Sequence, residues 1–324
     1  MGFVLRGLLL TSLLVLSATS LRAQGFFELL NPNAPKKSVS EEFYAGDPLA
    51  KPKVALLAIE GLILSQKMPI GGMTDLVETL RVQLAHAAKD PDLKGVLVEI
   101  DSPGGGITAS EILYKALADF RGKGKHVVAL MEDMAASGGY FVSLPAERIL
   151  AHPTTITGSI GVLVKSVNVE GLYQKLGLKD TTLKSSATPL KDMLSSTRPM
   201  TEEERKVMQS LLDQMYDRFV DLVASHRKLT PEQARKLADG RVYSAREAKD
   251  LGLIDAIGFR EDALAELYKL CGLAKEPKIV KYRKPFNLQD FFSAGSSFGG
   301  LRGPLLDRFA SRGSAPQFMY LWEP

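Results

Sequence analysis

The side chain of Ser137 has the sequence setting of a catalytic nucleophile. It lies in the segment Met-Ala-Ala-Ser-Gly-Gly-Tyr at residues 134–140, directly after an apolar, strand-like run over residues 125–131. A hydroxyl in a turn of small residues is expected to be accessible, and the two glycines let the backbone approach a reacting carbonyl. The amide of Gly138 is then free to donate to an oxyanion. A serine of this kind still needs a general base.

The histidines do not supply an obvious base, because each lies in an unpromising context. His86 lies in a helical pattern and His126 at the start of a strand. His152 precedes a proline, and His226 lies at the end of a helix. A lysine can replace histidine only when it is neutral, and a free lysine, with a pKa of roughly 10.4, is almost entirely protonated at pH 7. Burial lowers the pKa of a lysine by up to about 3–5 units. The candidate base is therefore a lysine in apolar company, Lys191, which follows Pro189 and is flanked by Leu190, Met193 and Leu194.

Five motifs follow one another along the chain. They are Glu-Ile-Asp-Ser-Pro-Gly-Gly-Gly at 99–106, Ala-Ser-Gly-Gly-Tyr at 136–140, Thr-Gly-Ser-Ile-Gly at 157–161, Lys-Asp at 191–192 and a longer segment at 240–255. In this order they resemble the short form of the signal peptide peptidase A family of membrane-bound serine proteases. The similarity extends over residues 50–275, and five motifs in the same order make a chance match improbable.

The resemblance implies a role for each motif. Ser137 matches the family's nucleophile and Lys191 its general base and acid, so lysine takes the part that histidine has in other serine proteases. Ser159 matches the serine that orients the lysine, and Gly105 is placed beside Gly138 as an oxyanion donor. The remaining residues of the glycine-rich segment match a substrate-binding loop: Ser102, Pro103, Gly104 and Gly106.

Each motif also has a simpler interpretation. The segment at 102–106 is compatible with a plain strand-to-helix turn or a phosphate-binding loop, although it lacks the Gly-Lys-Ser/Thr ending of a P-loop. Ser159 lies between glycines, as many turn serines do. Lys191 is compatible with a solvated lysine beside Asp192. The position of Lys191 relative to Ser137 in the resemblance favours the catalytic interpretation.

Composition excludes two classes of protein. The chain has 324 residues, of which 45% are hydrophobic and 24% charged, so it is not a disordered protein. A net charge of +4 with dispersed basic residues gives no reason to expect a nucleic-acid partner. The single cysteine, Cys271, excludes an internal disulfide and a thiolate metal cluster. The dyad that the resemblance implies requires no metal or organic cofactor.

The N-terminus predicts export. Arg6 precedes about a dozen mostly apolar residues, a length that suits a signal peptide better than a membrane span of about 20 residues. The resemblance instead implies an uncleaved anchor, so residues 1–23 are a signal peptide or a membrane anchor. We expect a bacterial cell-envelope protein, anchored in the membrane with its protease domain outside the cytoplasm.

The rest of the chain divides into three parts. Residues 24–50 are predicted to be a polar linker, residues 51–282 the protease domain and residues 283–324 a flexible tail. The tail ends in a hydrophobic tag, Met-Tyr-Leu-Trp-Glu-Pro, which docks either on its own chain or on a neighbouring one. The sequence does not decide between these alternatives.

Within the protease domain, strand and helix patterns alternate. Strands are predicted over 54–59, 93–100 and 125–131, with helices over 73–88 and 107–120 between them. A longer helix is predicted from a cap at Thr201 to about His226. Alternation of this kind predicts an α/β fold with parallel strands, and it places Ser137 where a strand ends and a helix begins. The resemblance names the Clp protease and crotonase type of fold, built from repeated β-β-α units.

The sequence thus predicts a serine endopeptidase that degrades hydrophobic peptides, such as cleaved signal peptides or misfolded polypeptides, through an acyl-enzyme intermediate. The resemblance implies a ring-shaped homo-oligomer. Two alternatives share the expected fold. One is a crotonase-like enzyme that holds an acyl-CoA oxyanion on the glycine loop, and the other is a non-catalytic membrane scaffold.

Overall fold

The structure is a computed structural model that describes residues 39–65, 75–283 and 317–322. Its strands are β1 Ser40–Gly46, β2 Lys53–Glu60, β3 Leu93–Ser102, β4 Gly104–Gly106, β5 His126–Ala136, β6 Arg148–Ala151, β7 Ile156–Gly158, β8 Leu163–Lys165, β9 Val242–Ser244, β10 Ala256–Ile257, β11 Lys278–Arg283 and β12 Gln317–Leu321. Its helices are α1 Leu76–Ala87, α2 Ile107–Gly122, α3 Gly138–Ser143, α4 Glu170–Lys175, α5 Glu202–Arg227, α6 Pro231–Leu237, α7 Ala245–Asp250 and α8 Arg260–Leu270.

The N-terminal segment 1–23 lies outside the described residues, as does most of the predicted linker. Among the helices of the described ranges, none combines the length and the apolar character needed to cross a bilayer.

A largely parallel sheet forms the centre of the fold. Its strands lie in the order β1, β11, β2, β3, β5, β6 and β10, with β7 and β9 continuing from β5. All neighbours along this order are parallel except β1 and β11. Alternate residues of each strand enter two apolar clusters on opposite faces, so that Ala55 and Leu57 lie in one and Val54 and Leu56 in the other. Burial on both faces is expected of parallel strands covered by helical crossovers. The predicted α/β class is confirmed.

The helix α5 begins at the predicted cap. The Thr201 side chain accepts from the amide of Glu204, and the Glu204 carboxylate accepts from the amide of Thr201. The apolar side chains of this helix are only partly buried, since Phe219 and Leu222 are buried whereas Leu211 is 37% exposed. The C-terminal half of α5 therefore packs on the domain, and its N-terminal half leaves apolar surface uncovered.

The strand β5 continues five residues beyond its predicted end at residue 131. Its last residues, Met134 to Ala136, pair with β7, and Ala135 also pairs with Ser102 of β3. These pairings lie after an irregularity in the β3–β5 register. The sequence pattern does not predict this extension, because Glu132 and Asp133 are polar. Backbone pairing rather than burial of apolar side chains maintains the strand there. The extension carries the chain directly to Ser137.

A buried tyrosine fixes α3 behind this turn. The ring of Tyr140 is fully buried, and its hydroxyl donates to the carbonyl oxygen of Leu253 at 2.8 Å. We expect Tyr140→Phe to lower the free energy of unfolding by about 1–3 kcal/mol, because the carbonyl loses its partner in a buried place. Chemical denaturation measures the change.

Tyr282→Phe is the matched control for that experiment. The hydroxyl of Tyr282 is buried and has no hydrogen-bond partner in the described part of the chain. Its removal should leave stability unchanged or raise it. Equal destabilisation by the two substitutions would contradict the assignment of the Tyr140 hydrogen bond.

Candidate active site

The backbone of Ser137 turns sharply between β5 and α3. Its φ is 51°, a value that is uncommon for a residue with a side chain. The turn is held by the Ser137 amide, which donates to the Gly158 carbonyl at 2.7 Å, and by the Ser137 carbonyl, which accepts from Phe141 at 2.8 Å. A strained serine between a strand and a helix is the geometry of a nucleophile elbow.

The predicted accessibility of Ser137 is wrong for the folded chain, since the residue is only 1% exposed. The reason is the close packing that small residues permit around it. A β-carbon on Gly139 would lie 2.6 Å from the carbonyl oxygen of Ser102, so the start of α3 presses directly against the end of β3. The small neighbours of Ser137 were expected to leave its hydroxyl accessible. They instead let other backbone segments pack closely around it.

The three glycines of strand β4 face two sides, with Gly104 and Gly106 bound to Ile63 and Gly105 turned toward the opposite edge. Ile63 donates to the Gly104 carbonyl and accepts from the Gly106 amide, both at 2.9 Å. The Gly104 amide donates to the Ser102 hydroxyl at 3.1 Å. Because successive residues of a strand face opposite edges, the amide of Gly105 points away from Ile63.

The backbones of Gly105 and Gly138 approach each other closely beside the serine. A β-carbon on Gly138 would lie 3.1 Å from the Gly105 nitrogen and 2.7 Å from the Ser110 hydroxyl oxygen. This approach requires glycine, because an L side chain at position 138 would collide with both groups. The structure thus brings together Ser137 and the two predicted oxyanion donors, an arrangement that is able to stabilise a tetrahedral oxyanion.

The last strand of the chain, β12, lies along the free edge of β4. Tyr320 pairs with Gly105 and Leu321 with Gly104, while the Trp322 amide donates to the Pro103 carbonyl at 2.9 Å. A β-carbon on Gly104, where φ is 103°, would lie 2.1 Å from the Tyr320 carbonyl oxygen and 2.7 Å from the Gly138 nitrogen. The Tyr320 carbonyl and the Gly138 nitrogen therefore both lie close to Gly104.

The sequence left open whether the hydrophobic tag docks on its own chain. In the structure, residues 317–322 contact their own chain. They do so through the predicted substrate-binding loop, of which Ser102 is buried and also donates to the Gly61 carbonyl at 2.6 Å. Of the predicted loop residues, Ser102 thus holds the turn, whereas Gly104 and Gly106 pair with β12.

Ser159 lies near this strand but not beside Lys191. Its φ is 49°, and its amide donates to the Arg241 carbonyl at 2.8 Å. It lines a cavity of about 300 Å³ together with Tyr216, Asp239 and Leu321. Among the described residues its hydroxyl has no hydrogen bond to Lys191, so the predicted orienting contact is not formed within one chain.

Lys191 is exposed in the single chain. Its amide donates to the Thr188 carbonyl at 3.2 Å, but within the described residues its side chain forms no hydrogen bond with Ser137 or Ser159. The apolar surroundings expected from Leu190 and Met193 are only partly formed, because both residues are themselves half-buried. The lysine that the resemblance assigns as base is therefore neither buried nor paired with the serine here.

A network of charges holds the segment around Lys191. The Arg198 guanidinium donates to both Asp192 carboxylate oxygens, at 3.0 and 2.8 Å, and also to Glu204 in the first turn of α5. Lys184 forms a further ion pair with Asp192. Arg198 and then Lys184 hold the pKa of Asp192 well below its usual range. The neighbouring carboxylate is thus committed to other cations and is not the counterion of Lys191.

Three of the four histidines have partners away from the serine. His226 is hydrogen-bonded to the Tyr114 hydroxyl at 2.7 Å, and burial lowers its pKa. His126 contacts Glu147 at 3.2 Å, and His86 packs edge-on against the ring of Tyr282. In the described ranges no cluster of histidine, cysteine and acidic residues has the makings of a metal site.

Comparison with known proteins identifies the family. The model of peptidase family S49 matches residues 119–274. A putative signal peptide peptidase SppA of Enterococcus faecium is 43% identical over 201 residues, which are 62% of this chain and 58% of that protein. A putative protease of Synechocystis is 36% identical over 221 residues, which are 68% of this chain and 75% of that protein. The chain belongs to peptidase family S49.

Family S49 membership confirms the resemblance that the motifs predicted, and it confirms a serine-type peptidase at the level of the family. The chain spans only 58% and 61% of the length of the relatives from Enterococcus and Methanocaldococcus jannaschii. Among solved structures, ClpP1 of Listeria monocytogenes superposes with a TM-score of 0.43 at 18% identity, covering 64% of this chain and 94% of that one.

Sequence reasoning missed the residues that receive β12. They are Ile63, which sets the orientation of β4, and the residues around the Tyr320 ring, which are Phe141, Met215 and Phe219. The one available signal was the run of aromatic residues at the C-terminus. Its docking site depends on contacts between segments that are distant in the sequence.

Two adjacent glycines of β4 provide a test of this geometry. A β-carbon on Gly105 would lie 2.2 Å from the Ile63 carbonyl oxygen, whereas one on Gly106 would lie 3.7 Å from its nearest neighbour. Gly105→Ala should therefore displace the donor amide and lower the rate at which Ser137 reacts with a fluorophosphonate probe by about 10²-fold or more. Gly106→Ala should react at nearly the wild-type rate. Equal rates in the two variants would contradict the proposed geometry.

A second test concerns the charge network around Lys191. Arg198 holds the pKa of buried Glu204 at about 2, below the roughly 4.3 of a free glutamate. A depressed folded-state pKa stabilises the fold above about pH 4.3, and this contribution is lost as the pH falls through 2. We expect Glu204→Gln to be less stable than wild type at pH 7 and the difference to narrow between pH 4 and pH 2.

Urea unfolding at several pH values measures the difference in stability between Glu204→Gln and wild type. Glu203→Gln is the control, because Glu203 occupies the same helical turn but is exposed. Its unfolding midpoint should follow that of the wild type at every pH. A constant difference for Glu204→Gln across the pH range would contradict the ion pair.

Proposed function

We propose that this chain is a serine endopeptidase that binds its substrate as a β-strand along β4. Ser137 is the nucleophile, and the amides of Gly105 and Gly138 hold the oxyanion. The observation that carries this proposal is the close approach of the Gly105 and Gly138 backbones beside a strained serine, next to the main-chain carbonyl of the paired strand β12. Strand addition supplies main-chain hydrogen bonds to any sequence, and pockets beside the strand select side chains.

The chemistry follows from the proton requirements of the serine. Neutral Lys191 accepts the proton of the Ser137 hydroxyl as its oxygen attacks the substrate carbonyl, and the oxyanion forms against the two amides. The lysine then gives that proton to the leaving amine, and an ester to Ser137 remains. Water attacks the ester by the same route and frees the serine. No metal or organic cofactor takes part.

Lys191 reaches Ser137 through assembly of several copies of this chain. Within one chain the lysine is exposed, whereas a general-base lysine must be desolvated to be neutral. Large apolar side chains on the segment before it are exposed as well: Val167 at 67%, Leu172 at 54%, Leu176 at 63%, Leu178 at 51% and Leu183 at 93%. A neighbouring copy that covers this surface would also cover the lysine. The cavity beside Ser159 offers room for the Lys191 side chain of that neighbour. In a closed ring, every copy receives this lysine from the next copy.

Hydrophobic peptides are the proposed substrates, including cleaved signal peptides. The strand that lies on β4 is rich in apolar and aromatic side chains, and a relative of this chain bears the name putative signal peptide peptidase. The apolar segment at residues 1–23 supports attachment to a membrane, with the protease domain outside the cytoplasm of a bacterial cell. Misfolded membrane polypeptides present similar extended apolar strands.

Neither alternative from the sequence gains support. An acyl-CoA enzyme would use the glycine loop without Ser137, but here the serine lies at a strained turn next to the donor amides. A non-catalytic scaffold would have no need of that strain.

Separate substitutions test both halves of the dyad. We expect Ser137→Ala and Lys191→Ala each to lose hydrolysis of an internally quenched hydrophobic peptide by about 10⁴-fold or more. Lys179→Ala is the matched control, since Lys179 is an exposed lysine of the same segment. It should retain wild-type activity. Full activity in either dyad variant would rule out the mechanism.

A mixing experiment tests whether the lysine comes from a neighbour. When the two inactive variants are dissociated and assembled together, a neighbouring copy of Ser137→Ala supplies Lys191 to an intact Ser137. Activity should then return to a fraction set by the mixing ratio. No recovery in mixed oligomers, with mixing verified by two affinity tags, would show that both residues must belong to one chain.

A further inference from the structure

The cavity beside Ser159 contains a carboxylate. Its lining comes from the turn after β7, from β8, from α5 and from the turn before β9, and it includes Ser159, Leu163, Tyr216, Asp239 and Gly240. Among the described residues that line it, only Asp239 is charged at neutral pH. A carboxylate near a hydroxyl is a setting that favours an ammonium group. The cavity is therefore chemically suited to a lysine side chain.

The Asp239 carboxylate is already held by a cation. The Nε of Arg241 donates to both carboxylate oxygens, at 2.9 and 2.8 Å, and a terminal guanidinium nitrogen donates to one of them as well. Arg241 thereby holds the pKa of Asp239 below its usual range. The carboxylate is ionised at neutral pH, but the guanidinium offsets most of its charge.

The same arginine also fixes Ser159. The Ser159 amide donates to the Arg241 carbonyl at 2.8 Å, and the next residue of β9, Val242, pairs with Gly158 of β7. The main chain of Arg241 thus joins the turn at Ser159 to the turn that carries Asp239. Sheet pairing, rather than side-chain contact alone, sets where the ion pair lies relative to the serine hydroxyl.

The other charged groups around the cavity have different environments. Arg235 forms an ion pair with Asp217 at 2.9 Å and lies over the ring of Tyr216. Burial raises the pKa of Tyr216, so its phenol is neutral at neutral pH. On α7, Glu247 accepts from the amide and hydroxyl of the helix cap, and Lys165 at the end of β8 is exposed. Asp239 is thus the carboxylate of the cavity lining itself.

The charges on the segment of Lys191 offset one another. Asp192 binds Arg198 and Lys184, as described above. A lysine that enters the cavity therefore brings no counterion of its own. Its protonation is then governed by desolvation and by the charges of the chain that receives it.

We propose that the Asp239–Arg241 ion pair controls the protonation of the Lys191 side chain that a neighbouring copy inserts into this cavity. Asp239 attracts the lysine, and Arg241 offsets the carboxylate so that the desolvated lysine is neutral beside Ser137. This inference rests on the proposed peptidase function and on its assembly. A lone carboxylate would favour the ammonium form, and a lone guanidinium would favour the neutral amine. Both residues of the pair act through Lys191, so they are positioning residues.

The pH dependence of the reaction of Ser137 with a fluorophosphonate probe tests this role in the assembled full-length chain. The serine oxygen bonds to phosphorus, fluoride leaves and the serine proton passes to Lys191, so the rate rises with pH as the lysine becomes neutral. Arg241→Gln leaves the carboxylate unpaired, and the midpoint of the profile should rise by about one pH unit. Asp239→Asn leaves the guanidinium unpaired, and the midpoint should fall by about one pH unit.

Further variants separate the effect of charge from an effect on structure. Arg241→Lys keeps the positive charge and should keep the wild-type midpoint. The double variant D239N/R241Q removes both charges and should return the midpoint to near that of the wild type. Arg81→Gln is the control for net charge, because Arg81 forms a similarly exposed ion pair with Glu78 on α1, outside the cavity lining. Its profile should match the wild type. A merely structural role would lower the rate at every pH without opposite shifts in midpoint.

Unchanged midpoints in Asp239→Asn and Arg241→Gln, or shifts in the same direction, would overturn the proposal. Both side chains are largely exposed in the single chain, so both variants should fold. Each predicts its own direction of shift, so either one that assembles decides the question. Lys191→Ala separates two kinds of failure. If it does not react with the probe and the midpoints are unmoved, the ion-pair proposal alone is wrong. If it reacts at the wild-type rate, the peptidase mechanism is wrong and this inference fails with it.

Discussion

The parallel pairing of β3 with β5 is the constraint on which the site depends. It brings the ends of the two strands together at Ser102 and Ala135, so that the glycine-rich turn and the serine turn leave the sheet side by side. Glycines at 138 and 139 then permit main-chain contacts that no β-carbon would allow. The two donor amides meet because backbones, and not side chains, are packed against one another. Strain at Ser137 is sustained by the pairing of β5 with β7, since the Ser137 amide donates to the carbonyl of Gly158 at the end of β7.

The nucleophile and its proposed base depend on different interactions. Ser137 is fixed by the sheet, whereas Lys191 belongs to a segment held by ion pairs between Asp192, Arg198 and Glu204. Such a segment is ordered but presents its lysine to solvent. Separation of the two groups gives a physical reason for coupling activity to assembly: the serine is built by folding, and the base becomes neutral only where a second surface covers it. Under the proposed mechanism, a single copy holds the serine turn but lacks a neutral base to activate it.

The C-terminal strand completes the groove from the other side. β4 is short and would otherwise expose an unpaired edge, which is a place where any extended peptide can add. β12 satisfies that edge, and Tyr320 fills the aromatic pocket behind it. The edge that is proposed to bind peptides is thus the edge that the chain's own β12 covers.

The sequence by itself determined the family, the α/β class and the identity of the serine turn, because these depend on local motifs and on periodic burial along single elements. The helix cap at Thr201 and the position of Ser137 between β5 and α3 were predictable for the same reason. Only the tertiary structure decided that Ser137 is buried, that Lys191 is exposed and that β12 docks on β4. Each of these outcomes joins segments far apart in the chain. Sheet register and close backbone approach determine such contacts, and neither leaves a pattern in the residues of one segment.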